Sequence, residues 1–253
     1  MRDIRYIFTI KEAMEEEMDR DMNVFLIGED VGLAGGSFGA SKGLYEKFEP
    51  ERIVDTPISE LGFTFLAAGA ASCGLRPIVE IMFMDFVTCC MDSIVNQIAK
   101  MRYMFGNQYT VPIVVRMPEG GGLNAGPQHS QCLEAWFAHV PGLKVVMAAT
   151  PYDVKGLLKA AIRDDNPVIF IENKTLHAMK GSIPEEEYLI PLGKADVKRE
   201  GTDVTVVSAS RLVNESLKAA DALSKEGVSV EVIDLRTIQP WDRETVFTSI
   251  AKT

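Results

Sequence analysis

Glu60 stands in DTPISELGFTFLAAGAA, where the residues that follow it are almost entirely Leu, Phe, Ala and Gly. A carboxylate there opens a helix at the edge of a dry core. The helix N-terminus favours the anion by about 0.3–1 kcal/mol, burial favours the neutral acid, and a carboxyl caught between the two can hold and release a proton. A plain first-turn acid is the alternative. His129 lies in GGGLNAGPQHSQ, a glycine-hinged segment rather than an apolar face. A histidine so placed changes charge near pH 7 and transfers protons. His139 and His177 read as structural or exposed. Phe83 and Phe86, in IMFMDF, read as core aromatics.

Other motifs fit less well. GGGLNA at 120–125 matches the dinucleotide fingerprint, but no helix opens there and no acidic residue ends the next strand, so a mobile glycine loop is expected. GGSFG at 35–39 matches the nucleophile elbow of a serine hydrolase using Ser37, yet Val31 to Ala34 separates it from its strand. GxxxxGK[ST] and HExxH do not occur. The chain has little with which to hold a polyphosphate by itself.

Positioning these residues requires elements, and the apolar spacing supplies them. Ile10, Met14, Met18 and Met22 predict an amphipathic helix over Thr9 to Asp21, and Asn23 to Ile27 a buried strand. The pattern continues with helix 60–72, strand 76–83, a long helix 85–105, strand 110–116, helix 130–139 and strand 143–149. Thr150 then caps a helix to Arg163, with Pro151 at its first position, before strand 167–172. Alternation of this kind implies an α/β fold, a mostly parallel sheet with helices on both faces. Residues 173–200 lack periodicity and read as a linker. Strand 203–209, helix 212–225 and strand 228–234 form one βαβ unit, and a last helix begins at Trp241. The 53 residues from 201 to 253 make a poor independent domain.

With 26 basic against 36 acidic residues in 253, the net charge is −10, and no basic run concentrates the positive charge. Nucleic acid and membrane surfaces are therefore not expected partners. The most apolar stretch, Phe63 to Leu75, is too short to cross about 30 Å of hydrocarbon. Met1 to Lys11 shows no signal or transit pattern, so a cytoplasmic location is expected. Cys73, Cys89, Cys90 and Cys132 lack zinc-site spacing and read as reduced, buried thiols.

DTPISE, GLRPIVEIMFMDF, VNQIAKMRYMFG, VPIVVR, QHSQ, PGLKVV, GLLKAAIRDDNPVIF and EVIDLRTIQPWD occur in that order over essentially the whole chain. Together they resemble the β subunits of the thiamine-diphosphate 2-oxo acid dehydrogenases, which include the E1 components of pyruvate, branched-chain and acetoin dehydrogenases. The resemblance implies a transketolase-type pyrimidine-binding domain over 1–190 and the beginning of a transketolase C-terminal domain over 191–253. It also implies a sequence that stops inside that second domain.

By the same resemblance, Glu60 hydrogen-bonds N1′ of the cofactor's aminopyrimidine, favouring the imino form that removes the thiazolium C2 proton. Phe86 packs on the pyrimidine, with Met82 in the pocket wall, and His129 transfers protons at the active-site mouth. The family binds diphosphate and magnesium through a GDG motif, which does not occur here. An E1 α subunit is then expected to complete the site in an α2β2 assembly that serves a lipoyl-bearing E2 acyltransferase. A structural potassium site is implied at Ile113, Ala161, Ile162, Asp164 and Asn166, although IRDDNP also reads as a simple helix stop. Segments such as MRYMFG, with Cys89 and Cys90, rank acetoin or pyruvate ahead of branched-chain substrates. A decayed subunit acting only in assembly is the competing expectation.

Overall fold

Val24–Gly28 (β2), with the sequence VFLIG, is buried along its whole length, as a strand covered on both faces must be. The computed structural model describes residues 1–253 and places β2 inside a seven-stranded sheet. Its neighbours are Ile53–Asp55 (β3) on one side and Arg76–Glu80 (β4) on the other. Val114–Glu119 (β5), Val168–Asn173 (β7) and Lys144–Met147 (β6) follow outward from β4, all parallel. Thr237–Gln239 (β12) closes the edge antiparallel to β6.

Alternate side chains feed two cores. Leu26, Ile78, Val114 and Phe170 point to the face covered by Tyr6–Arg20 (α1) and Pro151–Arg163 (α6). Ile27, Val79, Val115 and Ile169 point to the face covered by Glu60–Ser72 (α3) and the 84–104 segment. Burying one such side chain stabilises the fold by about 1.5–3 kcal/mol. Thr150 caps α6 as its sequence indicates, its hydroxyl accepting from the Asp153 amide at 3.2 Å.

Several sequence expectations need correction. The long helix 85–105 is broken into a 3₁₀ stretch at Met84–Cys90, a π turn at Ser93–Ile98 and the short helix Met101–Met104 (α4). Thr88 and Ser93 hydroxyls bond to the carbonyls of Asp85 and Cys90, in competition with a regular ladder. The helix at 130–139 contracts to Glu134–Ala138 (α5), because the amides of Ser130, Gln131 and Leu133 donate instead to Asp85 and Met84. The expected linker contains Lys180–Ile183 (β8), paired antiparallel with Arg2–Arg5 (β1), and Asp196–Arg199 (β9). Such distant pairing leaves no local period.

Leu44–Arg52 (α2) was not foreseen, nor were β1 and β3. Met22 follows α1 and is exposed, and of the four cysteines only Cys90 is buried. No helix is long and apolar enough to cross a membrane.

The C-terminal region forms a three-stranded sheet of Val204–Ser208 (β10), Val230–Asp234 (β11) and β9, flanked by Arg211–Ser224 (α7) and Arg243–Ile250 (α8). Its own buried cluster holds only Ala220, Val230 and Val232. It is attached to the main body by β12, by Ala209 and Ile238 packed on the main core, and by charge. Arg236 reaches the fully buried Asp153 at 2.7 Å and Asp196 at 3.0 Å, and Lys198 contacts Asp153 at 3.0 Å.

Candidate active site

From β2 the chain moves outward through α2 to β3, then crosses back through α3 to β4 on the opposite side of β2. The carboxyl ends of β2 and β4 therefore mark a point where strand order reverses, the usual crevice of an open parallel sheet. Glu29 follows β2 there, Glu60 is the first residue of α3, and Met82, Phe83 and Phe86 follow β4. Close approach fixes the spot: a Cβ on Gly28 would lie 2.6 Å from the Glu80 carbonyl oxygen.

Glu60 is 9% exposed, and its backbone carbonyl, rather than its carboxylate, accepts from the Thr64 hydroxyl at 2.6 Å. Glu29 is a neighbour the sequence reading missed. Burial pushes its carboxyl above the ordinary range, and the charge of Glu60 adds to the effect. Its Oε1 is buried with no hydrogen-bond partner. An orphaned carboxylate oxygen beside a second carboxyl suits a ligand that brings its own donors. Acidic residues at the ends of two adjacent strands are the signal that could have exposed it.

Phe83 and Phe86 are half-buried, and they form a wall rather than a sealed core. Their rings lie 5.6 Å apart, and His129 packs edge-on against both, at 4.7 Å from Phe83 and 5.4 Å from Phe86. Phe38 and His177 extend the cluster behind Phe83. Met82 is half-buried just before this wall.

His129 rides on a loop closed at its neck by a hydrogen bond from the Gly120 amide to the Gln131 carbonyl at 3.0 Å. Gly120 has φ +93°, and a Cβ there would meet the Asn173 amide at 2.6 Å, so glycine is required. Asp85 accepts from the amides of Ser130 and Gln131 at 3.2 and 3.1 Å, and Lys174 donates to the His129 carbonyl at 2.7 Å. Asp85 and Lys174 thus position the histidine, a role that only tertiary structure shows. No helix opens on the glycine stretch, and Ser37 sits on an exposed turn without an elbow.

A buried ion network underlies the crevice. Arg116 on β5 donates to Glu172 on β7 at 2.9 Å and also bonds to Glu80 on β4. Burial opposes ionisation of Glu172, but Arg116 and His177 outweigh it and hold that carboxyl at about 2. Burial raises Glu80 against the pull of Arg116.

The five residues expected at a cation site lie together around the α6–β7 turn and the start of β5. Arg76 donates to the Ile162 carbonyl at 2.9 Å and the Asp164 carbonyl at 2.8 Å, and Arg102 donates to Asn166 Oδ1 at 2.7 Å. The carbonyls of Ile113 and Ala161 accept from the amides of Val168 and Asp164. A cation there would use the second lone pair of each carbonyl.

Residues 2–179 match the family model of the transketolase pyrimidine-binding domain, and residues 193–253 that of the transketolase C-terminal domain. The chain is 50% identical over 249 residues to the 2-oxoisovalerate dehydrogenase subunit beta of Bacillus subtilis (strain 168), covering 98% of this chain and 76% of that protein. It is 51% identical to the acetoin:2,6-dichlorophenolindophenol oxidoreductase subunit beta of the same organism, covering 96% and 75%. To that organism's pyruvate dehydrogenase E1 component subunit beta it is 48% identical, covering 100% and 78%. A solved split gene transketolase, described as an inactive beta4 tetramer, shares the fold with a TM-score of 0.82 at 21% identity, over 99% of this chain and 77% of that one. With its crevice at the sheet's reversal point, the chain belongs to the family of E1 β subunits of the 2-oxo acid dehydrogenases, built on transketolase-type domains.

Proposed function

We propose that this chain is the β half of a thiamine-diphosphate-dependent E1 enzyme that decarboxylates a small 2-oxo acid or cleaves acetoin. The acyl group passes to a lipoyl-bearing E2 acyltransferase. The observation that carries the reading is a buried carboxyl, Glu60, heading a helix at the sheet's reversal point beside a half-buried aromatic wall.

Thiamine diphosphate supplies a carbon nucleophile for the substrate carbonyl and a sink for the electron pair that decarboxylation leaves. These residues fit its pyrimidine end. Glu60 would hydrogen-bond N1′, Phe86 and Met82 would supply the apolar wall, and the raised Glu29 carboxyl marks that corner of the crevice as poorly solvated. His129, hinged at the mouth, exchanges protons with the reacting acyl group. The His129→Ala chain, assembled with its partner, should lose acyl transfer to lipoyl groups; normal transfer would remove His129 from the mechanism.

The diphosphate and its magnesium need donors that this sequence lacks, so an α subunit binds them in an α2β2 assembly. We rank pyruvate and acetoin ahead of branched-chain acids, although relatives named for all three lie within 48–51% identity. Potassium at the α6–β7 turn belongs to the same reading, and KCl should then raise the melting midpoint above that in NaCl. Co-expression with an α subunit and dye-linked assay of pyruvate, acetoin and 3-methyl-2-oxobutanoate tests the whole reading. Turnover of pyruvate or acetoin is expected, and an assembled, cofactor-loaded complex inert to all three would overturn it.

A further inference from the structure

Glu119, Cys132 and Glu134 bring one carboxylate oxygen, one thiol sulfur and another carboxylate oxygen within 4.8 Å of one another. They stand on the wall of a cavity of about 520 Å³ between the end of β5, the segment after the His129 loop, and the head of α7. Glu119 is 2% exposed and sits at the end of β5. Its Oε2 accepts from the Cys132 thiol at 2.7 Å, and its Oε1 accepts from the Asn173 amide at 2.8 Å.

Two groups at this cavity have no partner. Oε2 of Glu134 is buried and accepts nothing. Ser210, which lines the same cavity and is only 3% exposed, has an unbonded hydroxyl. Buried polar atoms are normally satisfied, and two unsatisfied ones on residues that line the same cavity call for a bonding partner. The cationic side chains nearby do not fill that role: Lys174 donates to the His129 carbonyl, and Arg211, which lines the same cavity beside Gly122, makes no ion pair with Glu119 or Glu134.

We propose that Glu119, Cys132 and Glu134 form a binding site for a borderline divalent cation of the zinc class. Thiolate with carboxylate selects Zn²⁺ or Co²⁺ over Mg²⁺ or Ca²⁺, which prefer oxygen alone. Three protein ligands with the fourth position open to a cavity is the pattern of an accessible zinc site. On binding, the Cys132–H bond breaks, the sulfur lone pair bonds to the metal, and the proton passes to solvent with no change of oxidation state. Glu119 precedes the His129 loop and Cys132 follows it, so an ion here ties both ends of that loop together. The site adjoins the base of the His129 loop but uses none of the residues assigned to the cofactor, and it does not depend on the reaction proposed above.

Titration of the purified full chain with Co²⁺ is the test. A sulfur-to-cobalt charge-transfer absorption that saturates at one equivalent is expected, competed away by Zn²⁺ but not by Mg²⁺. Cys132→Ser should abolish the band while Cys89→Ser keeps it. Glu134→Gln, an isosteric change, and Asn173→Ala, which frees Glu119, should each weaken binding by about tenfold or more. Circular dichroism confirms that each variant is folded. Absence of the band in the folded parent chain, or equal affinity in the parent and Glu134→Gln, would overturn the proposal.

Discussion

Asp85 illustrates how much of the site depends on single side chains that do no chemistry. It is 5% exposed, and its one bonded oxygen fixes two amides just beyond His129. Hydrogen bonds to a charged group are worth about 1.5–3 kcal/mol, and these two are part-buried. Asp85→Ala should therefore loosen the loop and lower kcat for acyl transfer in the assembled enzyme far more than it changes cofactor affinity. Equal loss in both would mean that Asp85 supports the fold rather than the loop. Glu60 and His129 stand out in the sequence as candidates by their settings, and Phe86, which reads as a core aromatic, becomes one only through the family resemblance. Glu29, Asp85 and Lys174 do not stand out, since their roles arise from contacts between strand ends far apart in the chain.

The central strands were plain in the sequence as continuous apolar runs, yet one of them hides a charge. Arg116 lies in the middle of β5, 1% exposed, and is tied to Glu80 and Glu172 on the strands either side. Arg116→Leu would leave the buried carboxyls of Glu80 and Glu172 without their shared guanidinium, at a cost of about 3–5 kcal/mol. Chemical denaturation should show that loss, and a variant within about 1 kcal/mol of the parent would show that the network relaxes. Periodicity identified α1, α6 and α7, whose apolar stripes face one core each, whereas α3 reads as an apolar run and leaves Leu61, Phe65 and Leu66 exposed. Periodicity failed between residues 84 and 104, where the Thr88 and Ser93 hydroxyls bond to carbonyls that a regular helix would use. It failed again at β8 and β9, which owe their existence to partners far away in sequence.

At the scale of the molecule, the C-terminal region depends on the main body, as its small apolar cluster and the insertion of β12 beside β6 show. Asp234 sits in the charged seam between them, where burial, reinforced by Asp153, pushes its carboxyl up to about 7. The folded state thus holds a proton that the unfolded chain releases, so this stabilisation is complete below the ordinary aspartate range and is lost as pH rises through about 7. Asp234→Asn should gain more stability relative to the parent at about pH 8 than at about pH 5, by about 1 kcal/mol or more, roughly 2–4 °C in melting midpoint. An equal shift at both values would remove Asp234 as the titrating group. The acidic chain has no phosphate-binding loop motif, and the proposed role of Glu60 is to activate a cofactor held jointly with another subunit. Hydrogen–deuterium exchange at C2 of thiamine diphosphate, bound to the assembled α and β subunits, measures that activation directly. Fast exchange in the parent complex and its loss in the Glu60→Gln complex is the predicted result; unchanged exchange in a fully loaded Glu60→Gln complex would contradict it.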